Sequence, residues 1–157
     1  MSLNTRTRVI VAIQIAGSAY ATINLLIAFP GFDSGTITLL PYSVPLAASV
    51  FGFASGLLFW AGKTVGYFGS IATHALQIPM IVTTVLSYRL SLGIGVFLQI
   101  IDPGSLFGLT FGASTILAIM PQQHGTVVAV NLYALSALVY LIRDWKHAKK
   151  QSKRATP

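Results

Sequence analysis

Residues 90–120 read LSLGIGVFLQIIDPGSLFGLTFGASTILAIM, and the fold turns on whether this apolar stretch is helix or strand. Leu90, Leu92, Ile94, Val96, Leu98 and Ile100 alternate with Ser91, Gly93, Gly95, Phe97 and Gln99. A period of two belongs to a strand with one buried face. Asp102-Pro103-Gly104-Ser105 breaks the run with turn residues, proline presetting one backbone angle and glycine supplying a positive φ. Folding the chain about that turn with Ile101 opposite Leu106 sets Ile100 against Phe107, Leu98 against Leu109 and Val96 against Phe111. The large apolar residues of both strands then share one face, and the small ones share the other. A slip by one residue would destroy that agreement. The competing reading is a pair of short re-entrant helices, since glycine-rich apolar runs near membranes also take that form.

The rest of the chain is equally apolar. Of 157 residues, 54% are hydrophobic and 8% charged, against about 25% charged in soluble domains. So much apolar surface in so short a chain calls for lipid as part of the solvent. Read in segments of about 20 residues, the sequence predicts an all-α membrane bundle of four transmembrane helices over about 9–28, 43–60, 64–87 and 126–142. A small extracytoplasmic antiparallel β-hairpin over about 90–120 lies between the third and fourth. A basic tail, 143–157, follows, and the whole forms one membrane domain. Because Arg6 and Arg8 precede the first span and Ala19-Tyr20-Ala21 lies within it, a cleaved signal peptide competes with an uncleaved anchor there.

Charge placement gives a direction. With the amino terminus inside, Arg6, Arg8, Lys63, Arg143, Lys146, Lys149, Lys150, Lys153 and Arg154 are cytoplasmic, and only Arg89 of the 10 basic residues lies outside. Trp60 and Trp145 then fall at the inner interface. Both termini are cytoplasmic, and the expected location is the plasma (inner) membrane, with many passes. The net charge of +7 flanks apolar spans. It therefore points to orientation and to anionic lipid at the tail rather than to nucleic acid.

A two-stranded hairpin is marginal alone in water, so its apolar face needs cover. Gly35 to Leu40 also alternates and offers a third strand. If the cover is incomplete, Leu92, Ile94, Val96, Leu98, Phe107, Leu109 and Phe111 form a surface for a membrane-protein partner or a second copy of the chain.

Polar residues in spans are expensive and each has two readings. Asn24 and Asn131 fall at similar depth in the first and fourth spans, where they can bond across helices. His74 and Gln77 are one turn apart in the third, with Pro79 just beyond. As a functional set, His74, Gln77, Asn24 and Asn131 would line a pocket for a lipid, quinone or pigment. As structure, they are interhelical hydrogen bonds, which the sequence favours, because a bis-histidine haem site lacks a second histidine at that depth. Small residues at helix-contact spacing, Ala48, Gly52 and Gly56, Gly62, Gly66 and Ser70, and Ala12 and Ala16, suit close helix packing.

The chain has no cysteine and only Asp33, Asp102 and Asp144 as acids. Thiol–disulfide chemistry is excluded, and a proton-coupled exporter with an intramembrane carboxylate is disfavoured. No nucleophile–base–acid set, metal-ligand spacing, phosphate loop or cofactor motif is legible. The expectation is a non-enzymatic accessory or scaffolding subunit docking on a larger membrane complex through helix faces and its external cap. The alternative is a small-molecule binder or carrier with its pocket near His74, Gln77 and Asn131.

Overall fold

The computed structural model describes residues 4–28, 40–83, 86–92, 94–101, 104–111, 114–119 and 126–154, with side-chain surroundings for 4–27, 43–83, 87–92, 94–98 and 126–147. Its elements are α1 (Thr5–Ala28), α2 (Leu40–Trp60), α3 (Thr64–Leu76), β1 (Pro79–Val82), β2 (Leu86–Ser91), β3 (Ile94–Ile101), β4 (Gly104–Phe111), β5 (Ser114–Ile119), β6 (Val127–Asn131) and α4 (Leu132–Arg154). The fold is mixed α/β. This corrects the four-span all-α reading, because among the described residues only two helices are long and apolar enough to cross a membrane: Thr5–Ile27 within α1 and Ser43–Trp60 within α2. The first lies near the amino terminus, where a signal sequence has the same length and composition.

The expected third span fails after 13 residues. Gln77 closes α3 as its C-cap, and Pro79 stands two residues beyond, where no helical N–H is available. The β-branched run Ile81-Val82-Thr83-Thr84-Val85 then favours strand over helix. The expected fourth span fails at its start, because Val127-Val128-Ala129-Val130-Asn131 is strand β6. Helix α4 begins only at Leu132 and continues through the basic residues to Arg154, so that part of the tail is helical.

Among the described residues the sheet has six strands, in the order β4-β3-β6-β1-β2-β5. One antiparallel register runs from Leu86↔Ile119 to Ser91↔Ser114 and on from Ile94↔Phe111 to Ile101↔Gly104. Strands β2–β3 and β4–β5 are therefore the two arms of a single ribbon. The ribbon bends between them and grips the antiparallel pair β1–β6, with Met80↔Arg89 on one side and Leu98↔Val130 on the other. The register differs by two residues from the expected Ile101 opposite Leu106. A shift of two leaves every residue on its original face, so the hydrophobic pattern does not separate the two. Gly35 to Leu39, the expected third strand, lie outside the described residues, and Leu40 opens α2.

The sheet is strongly curled. The Arg89 guanidinium on β2 lies 4.9 Å from the ring centroid of Phe97 on β3, although β1 and β6 separate their strands. Met80, Val82, Phe97 and Ala129 form the buried cluster inside this concave face. Sequence reading expected the large-residue face of the hairpin to need cover, and over the described residues of β3 that face is only partly covered while the opposite face is buried. Gly95 and Phe97 are buried, while Ile94 and Val96 are half-buried and Leu98 is exposed. From β3 the concave side thus takes Gly95 and Phe97, which face Met80, Val82 and Ala129 of the neighbouring strands.

The helices meet the sheet at one end and are tied together at the other. Leu90 and Leu92 pack with Ala21 of α1 and Ala48 of α2 at the sheet end. At the opposite end Tyr67 stacks on Trp145 with centroids 4.5 Å apart, meets Phe59 edge-on at 5.5 Å and donates from its hydroxyl to the Leu141 carbonyl at 3.2 Å. Gly62, at φ 75°, ends α2: its N–H reaches the Phe59 carbonyl and that of Lys63 reaches Leu58, the paired bonds of a Schellman turn. Between the ends, small residues set the spacing. A Cβ on Gly52 would stand 2.7 Å from Ser18 Oγ of α1 and 3.1 Å from Thr73 Cγ2 of α3, so Gly52 lies where three helices converge. Ala12 and Ala16 face outward and take no part.

Candidate functional site at the helix–sheet junction

A layer of buried polar side chains lies where α3 gives way to the sheet. Ser70, Thr73, His74 and Gln77 descend one face of α3 at helical spacing, and all are buried. Gln77 is fully engaged: its Oε1 accepts from the Leu92 N–H at 2.9 Å and its Nε2 donates to the Thr73 carbonyl at 3.2 Å. It pins the ribbon's bend to the end of α3. Tyr88 reinforces the joint, its hydroxyl donating to the Leu76 carbonyl at 2.6 Å.

Asn131 does comparable work on the other side. Its Oδ1 accepts from the Ala134 N–H at 3.2 Å, capping α4, and from the Val96 N–H at 3.3 Å, while its own N–H donates to the Ile78 carbonyl at 2.8 Å. Sequence reading placed Asn131 inside a span and overlooked the cap. The signal was present in Asn131-Leu132-Tyr133-Ala134, an N-cap residue opening a helical run.

His74 is different. It is buried to 1% exposure, and neither ring nitrogen has a protein hydrogen-bond partner. Its ring meets that of Tyr133 edge-on at 6.3 Å, and the Tyr133 hydroxyl is likewise buried and unpartnered. Ser70 Oγ, Ser91 Oγ and Asn131 Nδ2 share that condition. Each such group carries a desolvation penalty of about 1–3 kcal/mol unless something satisfies it.

Of the four residues expected to line a pocket, the structure brings His74, Gln77 and Asn131 to this junction and leaves Asn24 out. Asn24 is exposed and donates to the Tyr20 carbonyl of its own helix at 2.8 Å. Sequence reading missed Ser91 and Tyr133, which carry no local motif, and took Ser70 only as part of the Gly62–Gly66–Ser70 packing ridge. Among the residues expected to meet a partner, Leu92 is buried in the helix–sheet cluster and is not available. Phe107, Leu109 and Phe111 lie on β4, where side chains are outside the described region. Burial against Phe97 lowers the Arg89 guanidinium from its ordinary value. No group of three or more His, Cys, Asp or Glu among the described residues is placed to hold a metal ion.

The convex side of the sheet carries a second candidate surface. Ile81 (36% exposed) pairs with Val128 (45%), and Leu98 (45%) pairs with Val130 (36%). These four side chains span β1, β6 and β3. No family model, curated protein or solved structure matches the chain.

Proposed function

We propose that this chain is a non-enzymatic membrane subunit that docks on a larger membrane complex through the convex face of its sheet. Membrane residence is supported by an inverted distribution of side chains. Gln14, Ser18, Ser49, Ser55, Ser70 and Thr73 are buried between helices, whereas Val9, Ile23, Leu26, Phe51, Leu57 and Phe68 are exposed. Such an arrangement is unfavourable in water and favourable in lipid. On this reading α1 and α2 form the hairpin that crosses the bilayer, with α3 and α4 packed on it. The α1 start, the Gly62–Lys63 turn and the second half of α4 carry Arg6, Arg8, Lys63, Arg143 and Lys146 at the end remote from the sheet. That grouping supports cytoplasmic termini and an inner-membrane protein with its sheet on the far side.

The observation that carries docking is the apolar patch Ile81–Leu98–Val128–Val130 on a sheet whose outer strands, β4 and β5, each pair on one side only among the described residues. Open edges are not tolerated against hydrocarbon, because their backbone groups stay unpaired. The patch therefore belongs outside the lipid, where water disfavours it and a protein surface suits it. A photo-crosslinking residue at Val128 should yield one discrete adduct with another membrane protein, while the same residue at Val65 on α3 should give only diffuse lipid adducts. A chain that crosslinks at neither site and migrates as a monomer after mild extraction would sink the reading.

A second reading is favoured by His74 and Tyr133 alone: a small neutral ligand that both donates and accepts hydrogen bonds at the junction. An absorption spectrum and organic extraction of the gently purified protein test it. A stoichiometric extractable molecule lost on His74→Leu supports it, and none in the wild-type protein rules it out.

A further inference from the structure

The helical part of the molecule is open along one side. Between the first turns of α1 and the first half of α4 lies a groove of about 430 Å³, lined by Thr5, Arg6, Val9 and Ile10 on one wall and by Tyr133, Ser136, Ala137 and Tyr140 on the other. Its chemistry changes along its length. Arg6 and Thr5 stand at the end near Tyr140, while Val9, Ile10, Ala137 and the Tyr133 ring line the stretch leading toward the sheet. Seven residues of helix separate Tyr133 from Tyr140, about 10 Å at 1.5 Å per residue.

The flanks face the same medium as the groove. Val9 on α1 and Leu135 and Val139 on α4 are exposed apolar residues on either side of it. At the Arg6 end the one acidic side chain among the described residues, Asp144, is already held by Asn4 Nδ2 and Thr7 Oγ1, both at 2.9 Å. Arg143 and Lys146 flank it and are exposed. The groove thus offers a positive end at headgroup level and an apolar trough along the chain direction.

We infer that this groove binds one anionic phospholipid, its phosphate against Arg6 and the upper part of one acyl chain along Val9, Ile10 and Ala137. The inference rests on the membrane reading above and is independent of docking through the sheet. Charge complementarity selects the head, since an arginine matches a phosphate with paired N–H donors. The apolar wall selects an amphiphile over a free anion. This site is distinct from loose attraction of anionic lipid to the basic end of α4, which needs no groove.

The test uses the full chain in mild detergent, with phosphatidylglycerol or phosphatidylcholine added back, and reads retained lipid by native mass spectrometry and stability by thermal unfolding. The wild-type protein should retain one phosphatidylglycerol at least fivefold in preference to phosphatidylcholine. Arg6→Gln should abolish the preference, Arg6→Lys should restore part of it, and Ser136→Trp, which fills the groove, should lose lipid of either kind. Should Ser136→Trp not fold, Val9→Trp serves the same purpose. The combined variant Lys149→Gln, Lys150→Gln and Lys153→Gln should keep the lipid. Retention unchanged in both Arg6→Gln and the groove-filling variant, or lost in the tail variant, overturns the inference. Equal stabilisation by inorganic phosphate also overturns it, because the chain would then contribute nothing. Failure of the membrane reading is separable: alkaline carbonate would release the protein from membranes whatever the detergent assay gave.

Discussion

The side-chain amide of Asn4 donates to Asp144 at 2.9 Å, joining the first turn of α1 to the middle of α4 across 140 positions of sequence. The same Asn4 caps its own helix, its Oδ1 accepting from the Thr7 N–H at 2.8 Å, and Tyr140 donates to that oxygen at 3.2 Å. Thr7 completes the clamp by donating to the other Asp144 oxygen at 2.9 Å. Few other contacts cross the open side of the helices, so this small network holds α4 against α1 below the groove.

Asp144→Ala should therefore loosen α4 more than an exposed acid normally would. It removes two hydrogen bonds to a charged acceptor, and we expect a loss of about 1–3 kcal/mol. Asn4→Ala removes both a cap and one of those bonds, at a cost of about 1–2 kcal/mol. Because the two share a bond, the double variant should lose less than the total of the singles. Denaturant unfolding in detergent followed by Trp145 fluorescence reads this directly; strict additivity would mean the pair does not act as a unit.

Three of the interhelical glycines, Gly52, Gly56 and Gly66, should rank in order of what a methyl group would strike. At Gly66 a Cβ would fall 2.1 Å from the Phe59 backbone nitrogen, and backbone does not yield, so Gly66→Ala should cost over about 3 kcal/mol. At Gly52 it meets Ser18 Oγ at 2.7 Å, and at Gly56 the Ile15 Cγ1 at 2.7 Å, a side chain able to change rotamer. Gly56→Ala should be the mildest, at about 1 kcal/mol or less, offset in part by alanine's better helix propensity. Thermal unfolding of the three variants would give the order, and equal losses would contradict it.

The sequence carried part of this architecture and withheld the rest for identifiable reasons. Hydropathy marks Pro79 to Val82 and Val127 to Asn131 as apolar without saying whether they are helix or strand, and both were absorbed into spans. Pro79, the β-branched residues after it and the capping Asn131 were the available local signals. The alternation about Asp102–Pro103 gave the faces of the ribbon, yet not its register, since shifts of two are silent. Nor does alternation reveal which face is concave; that depends on the bend at Leu92, a long-range event pinned by Gln77. His74 and Gln77 were legible as a pair, but only the packing distinguishes them, one with both amide atoms partnered and the other with neither ring nitrogen partnered.

Removing the polar group at His74 separates a satisfied site from an idle one. With no ligand, His74→Leu replaces two unpartnered nitrogens by an apolar group of similar reach and should leave stability unchanged or raise it by about 1 kcal/mol. With a ligand, the same change should lower the stability of the freshly extracted protein while leaving that of fully delipidated protein unaffected. Unfolding of both preparations side by side makes the comparison.

Val128 and Ala129 are adjacent in β6 and point to opposite sides of the curled sheet, the first exposed on the convex face and the second buried with Met80, Val82 and Phe97. Val128→Lys should fold and reach the membrane, because the charge projects outward, and it should lose the large partner on native electrophoresis. Ala129→Lys should not accumulate, because it drives an ammonium into a packed apolar cluster already holding the Arg89 guanidinium near Phe97. Ile81→Lys and Val130→Lys, on the convex face with Val128, should behave as Val128→Lys does. If Ala129→Lys folds and Val128→Lys does not, the concave and convex faces have been exchanged, and the docking surface must be sought inside the curl. If both fold and the partner stays bound, the sheet is not where the complex assembles. That second result would shift attention to the exposed apolar helix faces, such as the one around Phe51 and Leu57.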